Sequence, residues 1–173
     1  QIDSTTRFDT LQINLEDKEA QYEVLEVSED GKQQLVLKFT DGKFKSWSPE
    51  EPNLYYFTIK ADDDEIRSYF AMRSFTIEKD EKGIPRFCLN HKPYFLNGLL
   101  DQGYWPDGLM TAPCDEAFIY DIELAKKTGF NMIRKHCKIE PLRWYYHCDR
   151  LGMLVWQDMI NGGESYNLLK TTY

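Results

Sequence analysis

Apolar residues change their spacing once along this chain. Up to about residue 78 they alternate with polar ones: Leu11, Ile13 and Leu15; Tyr22 and Val24, continued by Leu25 and Val27; Leu35, Leu37 and Phe39; Tyr55, Phe57 and Ile59. A period of two sets one face of an extended strand against a core. Five or six such strands at even spacing predict a small antiparallel β-sandwich. Asp30-Gly31 predicts a hairpin turn. The acidic run 62–65 predicts a solvated hairpin tip without the spaced ligands of a calcium loop. Residues 69–77 close the set, and their apolar phase slips between Met72 and Phe75, as at a bulge or a strand's exit. A complete immunoglobulin-like sandwich takes about 100 residues and seven strands. This one is therefore small, or has its first strand before Gln1.

After residue 80 the pattern becomes strand, helix, strand, helix, strand. The runs 87–89 and 94–96 flank Asn90-His91-Lys92-Pro93, a hairpin signal that makes His91 a turn residue. Residues 94–100 read as a strand ending in a polar and aromatic loop, 101–108. Phe118, Ile122 and Ala125 form one stripe of a helix over 115–128, stopped at Gly129. Residues 131–135 and 153–157 read as short strands apolar on both faces, which suits parallel strands covered by helices. The helix between them, 141–151, has Pro141 in a first turn that tolerates proline and Gly152 where positive φ is needed. It is expected to bury Leu142, Tyr145 and Cys148, with His147 at its surface or in packing. Strand, helix and strand in this order make a right-handed βαβ unit. Residues 160–173 read as a glycine-containing loop with an uncertain helical tail. The predicted domains are 1–78 and 79–173.

Charge supports that division. Residues 1–80 hold 10 Lys/Arg and 18 Asp/Glu, a balance of −8, out of 21 and 29 in the whole chain; the remainder holds 11 of each, a balance of zero. An acidic first half and a neutral second half argue against nucleic acid as a partner. No apolar run approaches the ~18 residues of a membrane span. Cys88, Cys114, Cys137 and Cys148 lack the close spacing of a zinc knuckle or redox motif, and are expected to be buried free thiols. Free thiols lean toward a reducing interior and leave cytoplasm and periplasm both open. Trp47, in Trp47-Ser48-Pro49-Glu50-Glu51-Pro52-Asn53-Leu54-Tyr55, is expected to pack rather than to offer a sugar platform.

Those nine residues, together with the run Tyr69 to Phe75, resemble the last strands of the immunoglobulin-like domain of family-two glycoside hydrolases, the β-galactosidase, β-glucuronidase and β-mannosidase relatives. Phe95-Leu-Asn-Gly98, Gly129-Phe-Asn-Met-Ile-Arg134 and Cys148-Asp-Arg-Leu-Gly152 resemble the opening of that family's catalytic barrel. The resemblance implies a multidomain fold, β then α/β: an immunoglobulin-like sandwich followed by the first three strands of a (β/α)8 barrel. A whole barrel needs about 250 residues. It implies a carbohydrate substrate and a retaining mechanism, in which two carboxyls about 5–5.5 Å apart protonate the leaving group and attack the sugar. The family's general acid is a Glu that follows Asn. This sequence holds no Asn-Glu dipeptide, so no catalytic residue is assigned and the chain alone is expected to be inactive.

The resemblance also implies a supporting set. Arg134 matches a barrel arginine that pairs with a catalytic carboxylate; its rival reading is a salt bridge to a helix or to the neighbouring strand. Asp101, Gln102, Trp105, His136 and Asp158 stand at strand mouths, where parallel α/β folds bind ligands, and are the candidate sugar contacts. Asp158 matches a position where some relatives place a magnesium ligand, but Ile160 stands where a histidine would help. No metal and no cofactor are expected. The competing reading is a non-catalytic carbohydrate-binding or interaction module. In either case the open strands of the second half predict self-association, domain exchange or partial disorder.

Overall fold

The computed structural model describes residues 10–160 apart from 17, 20, 28–32 and 39–43. The turn expected at Asp30-Gly31, Phe39 and the tail 161–173 lie outside the described residues. The chain divides into two units: residues 1–47 with 53–73, and residues 48–52 with 74–173.

The first unit is antiparallel β. Its strands are β1 (Leu11–Leu15), β2 (Lys18–Glu19), β3 (Gln21–Val27), β4 (Gln33–Lys38), β5 (Tyr55–Ala61) and β6 (Asp64–Phe70). One sheet has the order β2-β1-β5-β6, and β3 pairs with β4 across a bulge between Val24 and Glu26. Ile13 lies opposite Ile59, and Ile59 opposite Ile66. This is the alternation read from the sequence. Asp62 turns β5 into β6 at φ 51°, and its carboxylate accepts the Thr10 amide at 2.8 Å. Phe44, Tyr55 and Phe70 cluster with ring centroids 4.6–5.5 Å apart. Trp47 is fully buried beneath the Arg73 guanidinium, 4.5 Å from its ring, and its amide donates to the Met72 carbonyl at 2.8 Å.

The strand expected over 69–77 is two strands in two units. β6 ends at Phe70 and β7 (Phe75–Lys79) belongs to the second unit. The slip in apolar phase marks that passage, and the division falls between Arg73 and Ser74, a few residues before 78. Residues 48–52 also join the second unit, where the Glu50 carboxylate accepts the Tyr94 hydroxyl at 2.6 Å and the Pro49 carbonyl accepts Lys126 Nζ at 2.9 Å.

The second unit opens with β7, β8 (Pro85–Leu89) and β9 (Lys92–Pro93) in one antiparallel sheet. Asn90 and His91 make its two-residue turn at φ 52° and 64°, the double positive φ of a tight hairpin. His91 Nδ1 sits 2.8 Å from Glu78. Then come β10 (Gly98–Asp101), α1 (Asp115–Lys127), β11 (Met132–Lys135), α2 (Leu142–Leu151) and β12 (Leu154–Gln157), with the strands parallel in the order β10-β11-β12. The first of them is shorter than the expected 94–100. Asn131 explains this, because its side chain accepts the Asn97 amide at 2.9 Å and donates to the Phe95 carbonyl at 2.9 Å, taking backbone groups that a ladder would use.

Phe118, Ile122 and Ala125 of α1 pack with Ile133, Trp144, Cys148 and Met153, and Leu99 and Val155 join them from β10 and β12. Register puts Leu99, Ile133 and Val155 side by side under the helices. The next residues on each strand, Leu100, Arg134 and Trp156, are exposed. Among the described residues, one face of the sheet is covered, not two. α2 turns Trp144, His147 and Cys148 inward, while Leu142 in its first turn is 87% exposed. A stripe at i, i+3 and i+4 through 144 cannot include 142, which lies on the other side of the helix. All four cysteines are free, but only Cys88 and Cys148 are buried; Cys114 and Cys137 are exposed.

Candidate functional site at the strand ends

The carboxyl ends of β10, β11 and β12 carry Asp101, Lys135 and Gln157 in register. Lys135 is only 1% exposed, so its charge must be met inside the protein. Its ammonium donates to Asp101 at 2.5 Å and to Glu140 at 3.0 Å, and lies 4.3 Å from the centre of the Trp144 ring. Glu140 is 5% exposed and takes a second cation, Lys138, at 2.8 Å. Two lysines thus meet two carboxylates. Lys138 also donates to the carbonyls of Gly103 and Met110, at 2.8 and 2.7 Å, which fastens the loop after β10. Asp101 accepts the Gly103 amide at 2.6 Å. A Cβ on Gly103 would meet the Glu140 carboxylate at 2.4 Å, and its φ of 65° favours glycine in any case. Tyr145 completes the floor: its hydroxyl donates to Gln157 at 2.5 Å and accepts the Glu140 amide at 3.2 Å.

Above this network lies a more open group. Arg134 Nε and Nη2 donate to the two oxygens of Asp158 at 3.1 and 3.0 Å, a bidentate pair across β11 and β12. The Arg134 hydrogen bond holds the Asp158 carboxyl below its usual range, outweighing burial, which raises it, and the nearby Arg134 and His136 add to the lowering. Asp158 raises the Arg134 pKa in turn. Gln102 reaches from the β10 loop to His136 Nδ1 at 3.2 Å, and His136 Nε2 lies 3.5 Å from Cys137 Sγ. The ligand atoms of His136, Cys137 and Asp158 stand together and could hold a metal ion.

The candidate residues read from sequence therefore separate. Gln102, Arg134, His136 and Asp158 gather at the mouth, whereas Asp101 is tied to the buried lysine beneath. Trp105 packs edge-on against Phe118 at 5.8 Å, and its buried indole N–H finds no partner among the described residues. Arg134 takes the neighbouring-strand salt bridge. Lys135 reads from the sequence only as a polar residue at the strand mouth and Tyr145 only as a buried helix residue, and Lys138 and Glu140 are not singled out; the run Lys-His-Cys-Lys-Ile-Glu is the signal available, since charges two and three apart after an apolar strand can turn inward together. Asp101 and Glu140 are both engaged by lysines. A cleft of about 560 Å³ on the β7-β8-β9 sheet is lined by Glu78, Asp80, Lys82 and Arg86, and is remote from these strand ends in sequence and sheet.

No family model matches the chain. It is 32% identical over 114 residues to a β-galactosidase of Vibrio vulnificus, covering 64% of this chain and 11% of that protein. It is 30% identical over 124 residues to a putative β-glucuronidase of Formosa agariphila, covering 68% and 11%. The chain thus spans about a tenth of the curated relatives it matches. Among solved structures, the β-glucuronidase of Parabacteroides merdae superposes with a TM-score of 0.70 at 22% identity, covering 90% of this chain and 20% of that one. A family-two (GH2) β-galacturonidase from Eisenbergiella tayi gives 0.69 at 22% identity, covering 86% and 26%. Sequence and fold point the same way: the chain is related to the family-two glycoside hydrolases, the group of the β-galactosidases and β-glucuronidases.

Proposed function

We propose that this chain is part of a retaining β-glycosidase. Its first unit serves as the immunoglobulin-like domain, and β10 to β12 with their helices serve as the opening of a (β/α)8 catalytic barrel. The observation that carries the reading is the parallel β10-β11-β12 sheet with polar side chains at its carboxyl ends, where barrel enzymes place their sites. Under this reading Gln102, His136 and Asp158 line the approach to the sugar. Trp105 and Asp101 support them from below. Arg134 holds Asp158 and gives the mouth a fixed positive charge, which favours ionisation of a carboxylate brought beside it. The chain supplies the wall and floor of the site; the acid and the nucleophile come from carboxylates outside these 173 residues, so the chain alone has no turnover. In the remaining part of the protein the two carboxyls stand about 5–5.5 Å apart, as a covalent glycosyl intermediate requires.

A 2-deoxy-2-fluoro glycoside tests this, because it traps such an intermediate. Incubated with the full-length gene product and mapped by peptide mass spectrometry, the label is expected on a glutamate outside residues 1–173. A label on Asp101, Glu140 or Asp158 would overturn the assignment, and no covalent label under conditions of turnover would remove the retaining mechanism.

A further inference from the structure

We infer that His136, Cys137 and Asp158 form a binding site for a divalent cation of the zinc type. Their ligand atoms, an imidazole nitrogen, a sulfur and a carboxylate oxygen, all lie within 4.8 Å of one another. The closest pair is the most telling. A tetrahedral zinc ion, with bonds of about 2.3 Å to sulfur and about 2.0–2.1 Å to nitrogen, holds those two atoms roughly 3.6 Å apart. His136 Nε2 and Cys137 Sγ are 3.5 Å apart. The separation of this pair suits the ion, and the Asp158 oxygen, within 4.8 Å of both, closes on it.

The surroundings orient each ligand. The Gln102 amide nitrogen stands 3.2 Å from His136 Nδ1; turned over, the same amide presents its oxygen to an Nδ1–H, the tautomer that leaves Nε2 free for the metal. Cys137 sits at φ 54° after the strand ends, exposed, with its thiol turned back to the neighbouring imidazole. Arg134 fixes the Asp158 carboxylate through one bond to each oxygen. A carboxylate has about four acceptor positions, so two stay open. Arg134 opposes a cation by its charge, but a thiolate and a carboxylate together bring two negative charges against that one. Binding releases the thiol proton to solvent.

The donor set selects the ion. Magnesium takes oxygen ligands in a strict octahedron, whereas thiolate with imidazole suits zinc or a similar borderline ion. Three protein ligands leave the fourth position for water or another oxygen. Nothing here depends on the glycosidase reading, and the test measures metal uptake rather than hydrolysis.

The 173-residue chain, reduced and freed of metal, is titrated calorimetrically with zinc chloride, and cobalt(II) uptake is followed by absorption. One zinc per chain is expected, with a thiolate-to-cobalt charge-transfer band. Cys137→Ser removes the band and the zinc site, while Cys114→Ser, at the other exposed thiol, preserves both. Gln102→Ala weakens zinc by about 10–100-fold and keeps the band. Circular dichroism confirms that each variant keeps its secondary structure. Absence of zinc uptake, uptake unchanged in Cys137→Ser, or equal loss in Cys114→Ser would overturn the site.

Discussion

The Lys135 ammonium lies 2.5 Å from the Asp101 carboxylate, joining the end of β11 to the end of β10. The same ammonium reaches Glu140, which is almost wholly buried. Replacing Lys135 by Met leaves Glu140 facing Lys138 alone and takes from Asp101 its cation. Breaking a buried pair on one side costs about 3–5 kcal/mol. Urea unfolding should therefore show Lys135→Met destabilised by that order. The double variant with Glu140→Gln should lose less than the sum of the two single changes, because the residues share one network. Additive losses would mean that the lysine and glutamate act independently.

Gly152 ends α2 at φ 74°, and a Cβ there would meet the Pro49 carbonyl at 2.4 Å. Lys126 also converges on this point, donating to the carbonyls of Leu151 and Gly152 at 2.5 and 3.2 Å. Gly129 ends α1 at φ 97°, but a Cβ there meets nothing within 4 Å. Gly129→Ala should cost about 1–2 kcal/mol, the left-handed penalty alone. Gly152→Ala should cost clearly more, since backbone must move as well. Equal urea midpoints for the two variants would show that the contact with Pro49 relaxes freely.

Glu50 and Tyr94 give the stability a pH signature. Partial burial raises the Glu50 pKa, but the Tyr94 hydrogen bond, its other hydrogen bonds and the Lys126 charge outweigh it, and the net shift is downward. Tyr94 is pushed up, first by burial and then by its bond to the Glu50 carboxylate. A depressed carboxyl contributes stability above its ordinary pKa that is lost as pH falls through the folded value. A raised tyrosine contributes stability that is fully present below about pH 10 and lost at higher pH. The advantage of the native chain over Tyr94→Phe should thus be greatest near neutrality and shrink in both acid and strong base. A difference constant from about pH 3 to about pH 11, which spans the ordinary pKa values of the two groups, would exclude the coupling.

Trp47 is buried completely in the first unit, under Arg73. Trp47→Ala should cost about 3–5 kcal/mol, as expected for removal of a buried tryptophan. Arg73→Ala should cost much less, because a cation over an aromatic face contributes about 0.5–2 kcal/mol. Thermal unfolding of both variants checks the order.

Periodicity alone made much of this fold legible. The α1 stripe of Phe118, Ile122 and Ala125 is the buried face, and Gly129 ends that helix as its type demands. What periodicity could not show was where charge would go. Lys135 follows an apolar strand, so it reads as a mouth residue; only the carboxylates of Asp101, at the end of β10, and Glu140, in the loop after β11, allow it to be buried. Leu142 was misplaced because hydrophobicity was weighed above helical phase, and Trp144 and His147 set that phase. The proximity of Cys137 to Asp158 depends on parallel pairing between β11 and β12, and twenty-one residues (158 − 137) separate the two in sequence. No local motif records it.

Hydrolysis of a panel of nitrophenyl β-glycosides, by the 173-residue chain beside the full-length gene product, tests the central claim most directly. The account predicts turnover by the full-length protein on at least one β-glycoside and none by the chain alone. Turnover by the chain would contradict the absence of catalytic carboxylates from it. Inactivity of both on every sugar would contradict the glycosidase reading itself.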